Sequence, residues 1–428
     1  MTRLHATQVD ASRWEGRRLA FACLGVILGL HLLVSSAFAL TYGDRFSELT
    51  APDAKRYETM VKQWLTKGVY GYDSTEPNAY VTPGYPIFLA AIYWVGGDVQ
   101  GEGRPYALMV ALQILCNAAS ILLTYAIGSA VFDNRGVGVM AAALIALYPP
   151  LFQVPLMFLT ESFATTTFLL YVLVQLIALK RSSVRWSVAA GALLAVAVYV
   201  RPGIAPVAVA PFVYEFLVRR GDRRKAVVKL AAVSLAAWAL VMAPWVVRNQ
   251  VVLGYLWVFS SHGGDPMLAG VDSYYYEMGE GFSYHGPTYK RWYAEKLEIP
   301  KTVYAKRVIG QMLRENPLRT IWWFTVGKSV RMYFEPWVPG KNYIKSITLV
   351  THYLLVVLGL TGMGLAFREP RLRTLSMMIV FGTLALLMFV PEPRFVYGFL
   401  PLFAVLAAGV LRCAWQGCRL AGEGVSAA

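Results

Sequence analysis

Residues 41–86 read TYGDRFSELTAPDAKRYETMVKQWLTKGVYGYDSTEPNAYVTPGYP, a polar stretch carrying Asp44, Glu48, Asp53 and Glu58 between two apolar runs. The run before it, Leu19–Leu40, follows Arg13, Arg17 and Arg18 and contains Ala37-Phe38-Ala39, which looks like a signal-peptidase site. It exceeds the roughly 7–15 residues of a signal-peptide apolar region, so it reads as an uncleaved anchor. The run after it, Tyr85–Gly97, is ambiguous. Whether that run crosses the membrane fixes the side on which every later loop lies.

The wider composition places the chain in a bilayer. Of 428 residues, 57% are hydrophobic and 15% charged, with a mean hydropathy of +0.48, whereas soluble domains are about 25% charged. The formal charge of +15 comes from Lys and Arg clustered in short connections between apolar runs. That is the positive-inside pattern of a membrane protein and excludes nucleic acid as a partner. Cys23, Cys116, Cys413 and Cys418 lie in or beside apolar runs, so no disulfide framework is implied.

A spanning helix needs about 20 apolar residues. Segments 19–41, 106–131, 137–151, 162–179, 186–200, 203–218, 226–246, 346–367, 374–390 and 398–413 are the candidates. The basic connections at Arg135, Lys180-Arg181 with Arg185, residues 219–225 and residues 368–373 belong together in the cytoplasm. That holds only if 85–97 and Thr320–Phe334 do not cross. Both then become interfacial helices on the outer side, where Trp322, Trp323, Lys328 and Arg331 suit headgroup depth. The expected fold is an all-α polytopic membrane protein with about ten spans. A cytoplasmic N-terminus covers 1–18, a membrane domain 19–413 and a cytoplasmic tail 414–428. The membrane domain carries a first outer loop at 42–105 and a long outer loop at 247–345.

The outer face gathers Asp53 with its acidic neighbours, Glu161 at a span start, and Arg201, Arg248 and Arg394 at span ends. Ionisable groups at membrane depth are costly and point to function. Carboxylates serve as bases or metal ligands, and arginines bind phosphate bidentately. Together they describe a phosphate site at the membrane surface with a base beside it.

In order, Asp53-Ala54 with Tyr57, Thr82-Pro83-Gly84-Tyr85-Pro86, Leu159-Thr160-Glu161-Ser162, Arg201-Pro202, Pro244-Trp245 with Arg248-Asn249, and Pro393-Arg394-Phe395 form a series of landmarks. The series resembles that of the polyprenyl-phosphate-sugar-dependent glycosyltransferases of the GT-C fold. Within them it is most similar to the bacterial branch related to protein O-mannosyltransferases and lipid A aminoarabinose transferases. The resemblance implies a GT-C-like bundle in the bacterial cytoplasmic (inner) membrane, with its active site on the periplasmic or extracellular face. It implies inverting transfer of a sugar from a polyprenyl-phosphate donor to a cell-envelope glycan, lipid or protein acceptor. Asp53 matches the family's catalytic base or acceptor-orienting acid, and Glu161 its second acid, which supports the acceptor or a divalent cation such as Mg or Mn. Arg201, Arg248 and Arg394 match residues that engage the lipid phosphate, with Tyr57 and Tyr85 beside them. His262, within Ser260–Gly270, stands where the family usually has Asn.

Each residue has a plainer reading. Asp53 and Glu161 are well placed as acids in first helical turns, and Arg201 and Arg248 as snorkelling helix-end residues. Asp44 competes with Asp53 as the base, while Glu48 and Glu58 read as solvated. Tyr274-Tyr275-Tyr276, Trp292 and Tyr293 suit an interface as well as a sugar, and His262 and His285 lack metal-ligand spacing. A transporter or lipid flippase would concentrate its charges near the midplane, and an O-antigen ligase or polymerase would carry its large loop late in the chain.

Overall fold

A bilayer gives the backbone no water to bond, so segments this apolar satisfy their own N–H and C=O groups as helices. The computed structural model describes residues 2–48, 52–96, 105–272, 286–294, 300–337, 345–367 and 370–426, and among them every regular element is helical. Helix α1 (Thr2–Glu48) is 47 residues long, about 70 Å at 1.5 Å per residue, so it extends well beyond its apolar part, Gly16–Gly43. Ala20, Leu24, His31 and Ser35 form its buried stripe, while Leu19, Val26, Leu30 and Leu33 stay exposed. This is the pattern of a peripheral helix with one face on the bundle.

The amphipathic α2 (Pro52–Lys67) buries Ala54, Met60 and Val61. The apolar α3 (Gly84–Gly96) has only 13 residues, about 20 Å, too short to span a hydrocarbon core of about 30 Å. Then come α4 (Tyr106–Phe132), α5 (Arg135–Ala146) and the short α6 (Pro150–Gln153). The α5 segment and the stretch Pro150–Met157 form a pair bent by 64°. They are followed by α7 (Glu161–Arg181), α8 (Val184–Val200), α9 (Ala210–Val218) and α10 (Asp222–Leu253). A second polar layer holds α11 (Gly264–Asp272), α12 (Pro287–Ala294), α13 (Lys301–Glu315), α14 (Pro317–Trp322) and, after one π turn, α15 (Lys328–Phe334). Helices α16 (Lys345–Leu365), α17 (Pro370–Leu386) and α18 (Leu400–Ser426) close the chain.

Each of the ten expected segments contains helix, with 137–151 broken after Ala146 and 374–390 helical as far as Leu386. Length and hydropathy alone qualify six spans among the described residues, or seven if the bent pair counts as one. The expected segments 186–200, 203–218 and 374–390 fall on shorter apolar helices. Tyr274-Tyr275-Tyr276 and His285 lie outside the described residues.

Helix α7 packs between α4 and α8, α8 against α10, and α18 against α5 and α16. From Leu402 to Ala408 every residue of α18 is fully buried, which makes α18 the central helix of the bundle. Close backbone approach sets the crossings. A Cβ on Gly191 of α8 would lie 2.0 Å from the Ser234 carbonyl oxygen of α10. With little hydrophobic drive between helices in lipid, such small-residue contacts hold neighbours together.

One sequence expectation is corrected here. Lys328 and Trp323 do not face outward toward headgroups but turn into the protein. Lys328 is 0% exposed and Trp323 is buried. The Lys328 ammonium donates to the carbonyls of Leu387 (2.8 Å) and Phe389 (2.9 Å), just beyond α17, and sits 3.9 Å from the Phe324 ring centroid. Burial is tolerated because the carbonyls and the ring replace water. Trp322, by contrast, is exposed as expected, with Leu318, Ile321, Val326 and Val330 along the same side.

Two substitutions check this packing. Gly191→Val should drive α8 and α10 apart and cost about 1–3 kcal/mol, seen as a lower melting temperature in detergent. Lys328→Met should leave two buried carbonyls without a donor, at about 1–3 kcal/mol for each, and lower the melting temperature further. A Lys328→Met protein that melts like wild type would remove the clasp from this account.

Candidate functional site

Proline places the site's arginines. A residue before proline is pushed out of helical backbone, and Arg201, ahead of Pro202, ends α8 in an extended conformation (φ −145°, ψ 98°). Its side chain meets Glu161 in the first turn of α7, with Nη2 at 3.4 Å from Oε1. Glu161 is 2% exposed. Such a carboxylate persists as an ion only beside a cation and hydrogen-bond donors. The Thr160 hydroxyl adds a 3.4 Å hydrogen bond to Oε2. Phe158, left-handed at φ 50°, turns the chain into α7.

The same device operates at Pro391-Glu392-Pro393-Arg394. Glu392 is extended before Pro393 (φ −80°, ψ 131°) and accepts from Arg394 Nε. Arg394 Nη1 donates to Asp53 Oδ2 at 3.1 Å. Asp53 stands in the first turn of α2, where the helix dipole favours an anion. Its other oxygen lies 3.5 Å from the Tyr72 hydroxyl and 3.8 Å from Arg56, which also approaches Asp73 at 3.5 Å.

Phe395 joins the two pairs. The guanidinium of Arg201 lies 5.4 Å from its ring centroid and that of Arg394 5.5 Å, both within cation–π range. Asp53, Glu161, Arg201 and Arg394, distant in sequence, thus form one constellation. Tyr57 joins it: burial raises its hydroxyl pKa, Asp53 and Glu161 push it higher, and Arg201 and Arg394 oppose them. It therefore stays protonated, a donor at neutral pH. Tyr57 packs edge-on to Tyr72 and to the buried Tyr85 at 5.2 and 5.0 Å, so Tyr85 supports the site from behind.

Two proposed residues sit elsewhere. Arg248 donates to the carbonyls of Asn78 (2.8 Å) and Tyr70 (3.3 Å) and to the Asn249 side chain (2.9 Å). Its guanidinium fastens the first loop to the end of α10, and its hydrogen-bond partners are first-loop carbonyls and its α10 neighbour Asn249 rather than the Asp53–Glu161 constellation. His262 packs on the Tyr80 ring at 4.1 Å and lies 3.6 Å from Asp265. Asp44 belongs to α1, but its side chain is not among those described. Glu58, expected to be solvated, pairs with Lys62 at 3.4 Å and is largely buried.

Glu392, Tyr72 and Arg56 are the members that sequence reasoning missed. Glu392 was readable as an acid between two prolines, two residues before an arginine. Tyr72 carries no comparable signal, because its place depends on how the loop folds back on α2.

Chemically, the constellation holds three carboxylates, Asp53, Glu161 and Glu392, and three arginines, Arg56, Arg201 and Arg394. Arg201 spends one nitrogen on Glu161, and its Nε and Nη1 meet no protein acceptor among the described residues. Those donors suit an incoming oxyanion. Among the described residues no three His, Cys, Asp or Glu side chains converge as a metal site. Asp53 and Glu161 each face an arginine.

A family model described as dolichyl-phosphate-mannose-protein mannosyltransferase matches residues 84–247, a region that includes Glu161 and Arg201. No curated protein sequence matches the chain. Among solved structures, the archaeal oligosaccharyltransferase AglB from Archaeoglobus fulgidus, solved with an inhibitory peptide and a dolichol-phosphate, aligns with a TM-score of 0.53 at 14% identity. That alignment covers 95% of this chain and 52% of AglB. ArnT from Cupriavidus metallidurans, solved with undecaprenyl phosphate, aligns with a TM-score of 0.50 at 15% identity, over 92% of this chain and 63% of ArnT. The chain thus spans about half the length of the archaeal protein. At these identities the likeness is one of fold, and the chain is a multi-pass membrane protein whose helical fold is similar to those of AglB and ArnT.

Proposed function

We propose that this protein transfers a sugar from a polyprenyl phosphate to a hydroxyl acceptor, with inversion at the anomeric carbon. The observation that carries the proposal is the joint presence of a carboxylate, Asp53 at the start of the amphipathic α2, and two arginines beside the ends of apolar helices, Arg201 with donors not spent on the protein among the described residues. A sugar linked to a lipid phosphate offers an anion at that depth and needs no nucleotide.

In the reaction the acceptor oxygen forms a bond to the anomeric carbon as the bond from that carbon to the phosphate oxygen breaks. The acceptor proton passes to Asp53, and the polyprenyl phosphate leaves with one more negative charge than it held in the donor. Arg201 and Arg394 stand where that charge develops, and preorganised cations stabilise it without reorganisation at the moment of reaction. In the free protein Glu161 and Asp53 hold the guanidinium groups in place. Phosphate binding would shift those contacts toward the lipid and free Asp53 to accept a proton. Phe395 keeps the two arginines oriented through the exchange.

The basic connections between spans support a cytoplasmic location for the opposite end of the bundle, which puts this site on the non-cytoplasmic face of a bacterial cytoplasmic membrane. The acceptor would be a cell-envelope glycan, lipid or protein. The matches to proteins solved with dolichol-phosphate and undecaprenyl phosphate support the donor class.

The test uses purified protein in nanodiscs with a panel of polyprenyl-phosphate sugars, measuring release of free polyprenyl phosphate. Wild type should release it from at least one donor. Asp53→Asn should lower the rate at least about 100-fold, the scale of general base catalysis, while an unaffected Asp53→Asn beside an inactive Asp44→Asn would move the base to Asp44. Arg201→Lys keeps the charge but loses the planar fork, and should lower kcat/KM about tenfold or more. No release from any donor, with lipid binding indifferent to Asp53→Asn, would favour a lipid transporter.

A further inference from the structure

We propose that the side chains gathered around Lys301 form the subsite that recognises the acceptor, and that the acceptor is a saccharide; this rests on the transferase reading above. The Lys301 ammonium lies 5.3, 4.9 and 4.9 Å from the ring centroids of Tyr289, Trp292 and Tyr293. It donates to Asp265 at 2.5 Å and to the Tyr293 hydroxyl at 3.0 Å. Asp272 fixes the position of these rings, because its carboxylate accepts from the backbone N–H groups of Thr288 (2.7 Å) and Tyr289 (3.0 Å) and so caps α12. Met267, Leu268, Val271 and Ala305 form the core beneath.

A row of side chains connects this cluster to the Asp53 carboxylate. The Tyr80 hydroxyl donates to Asp265 at 3.4 Å. The Tyr80 ring stacks on Tyr72 at 5.1 Å with an interplanar angle of 8°, and the Tyr72 hydroxyl reaches Asp53. From Asp53 outward, the sequence is an acid, two stacked phenols, an acid–lysine pair and an open aromatic face.

That sequence of chemistry fits a sugar. The C–H faces of a pyranose lie against aromatic rings, and its hydroxyls bond to carboxylate, ammonium and phenol groups. Tyr293 is 52% exposed, so the outermost ring is open for stacking. Asp265 and Lys301 keep partial access, where a buried structural clamp would be closed. Strand addition, one way of holding a peptide acceptor, would need a sheet edge, and the regular elements of this layer are all helical among the described residues.

The experiment is equilibrium binding of the full chain in nanodiscs to an array of immobilised oligosaccharides and Ser/Thr-containing peptides. Wild type, Tyr293→Ala, Tyr293→Phe and Trp292→Ala are compared, with undecaprenyl phosphate affinity measured in parallel. Wild type should bind a subset of the oligosaccharides. Tyr293→Ala should weaken that binding about three- to tenfold, the contribution of one aromatic stacking partner, and Tyr293→Phe should restore most of it. Undecaprenyl phosphate affinity should not change. Binding of peptides instead of oligosaccharides, binding of neither, or saccharide binding indifferent to both Tyr293→Ala and Trp292→Ala overturns the proposal. The array needs no donor, so the two readings fail separately. Donor-dependent phosphate release without saccharide binding would leave the transferase standing and remove the subsite. Tyr293-dependent saccharide binding without release would leave a glycan-binding site and remove the transferase.

Discussion

A carboxylate buried at the end of a membrane helix must be paired, and Glu161 meets that requirement through Arg201. The cost of stripping water from either ion is several kcal/mol unless the partner is present. This constraint organises the surrounding chain. It requires α8 to end where α7 begins, which the Arg201-Pro202 corner accomplishes, and it brings the 393–399 turn alongside through Phe395. The second pair, Asp53 with Arg394, then ties α2 to the start of the central helix α18. Structural and chemical requirements coincide here, because the cations that neutralise the acids are also those suited to a phosphate.

Much of this was legible in the residues. Apolar length located the helices, and proline after Arg201 and around Glu392 marked where helices stop and turn charged side chains outward. Asp53 and Glu161 were readable as acids in first turns, although only the folded chain brings them together with Arg201 and Arg394. What sequence could not show is which way a long side chain points. Lys328 in an apolar helix suited a headgroup position equally well, and its turn inward depends on two carbonyls some 60 residues later. Arg248 resembled the other helix-end arginines, and only the path of the first loop shows that its donors go to Asn78 and Tyr70. The Tyr72–Tyr80 stack depends on tertiary folding of a loop and had no periodic signal.

Some of the points that attach the layer α11–α15 to the bundle lie close to the site. Lys328 grips the residues just before Pro391, and the Val390 N–H donates to the Pro266 carbonyl at 2.9 Å. Ser261 N–H donates to the Ala79 carbonyl at 2.7 Å. The layer is therefore anchored to the two loops that deliver Arg394 and Tyr72, and through Tyr333 of α15 to the spans, where its hydroxyl meets Thr383 at 2.6 Å and its carbonyl meets His352 at 2.8 Å.

The bundle's short apolar helices have a consequence for how the protein is made. Val184–Val200 and Pro202–Val218 each fall below the length of a full span, and a segment that short partitions weakly into lipid on its own. The Arg201-Pro202 corner joins them as a hairpin between the long helices α7 and α10. During synthesis, the hairpin must wait for α10 to emerge before Gly191 can seat against Ser234. Until then Arg201 has Glu161 as its counter-ion, so the same pair would keep the hairpin's tip beside α7 while the rest of the membrane domain is still being translated.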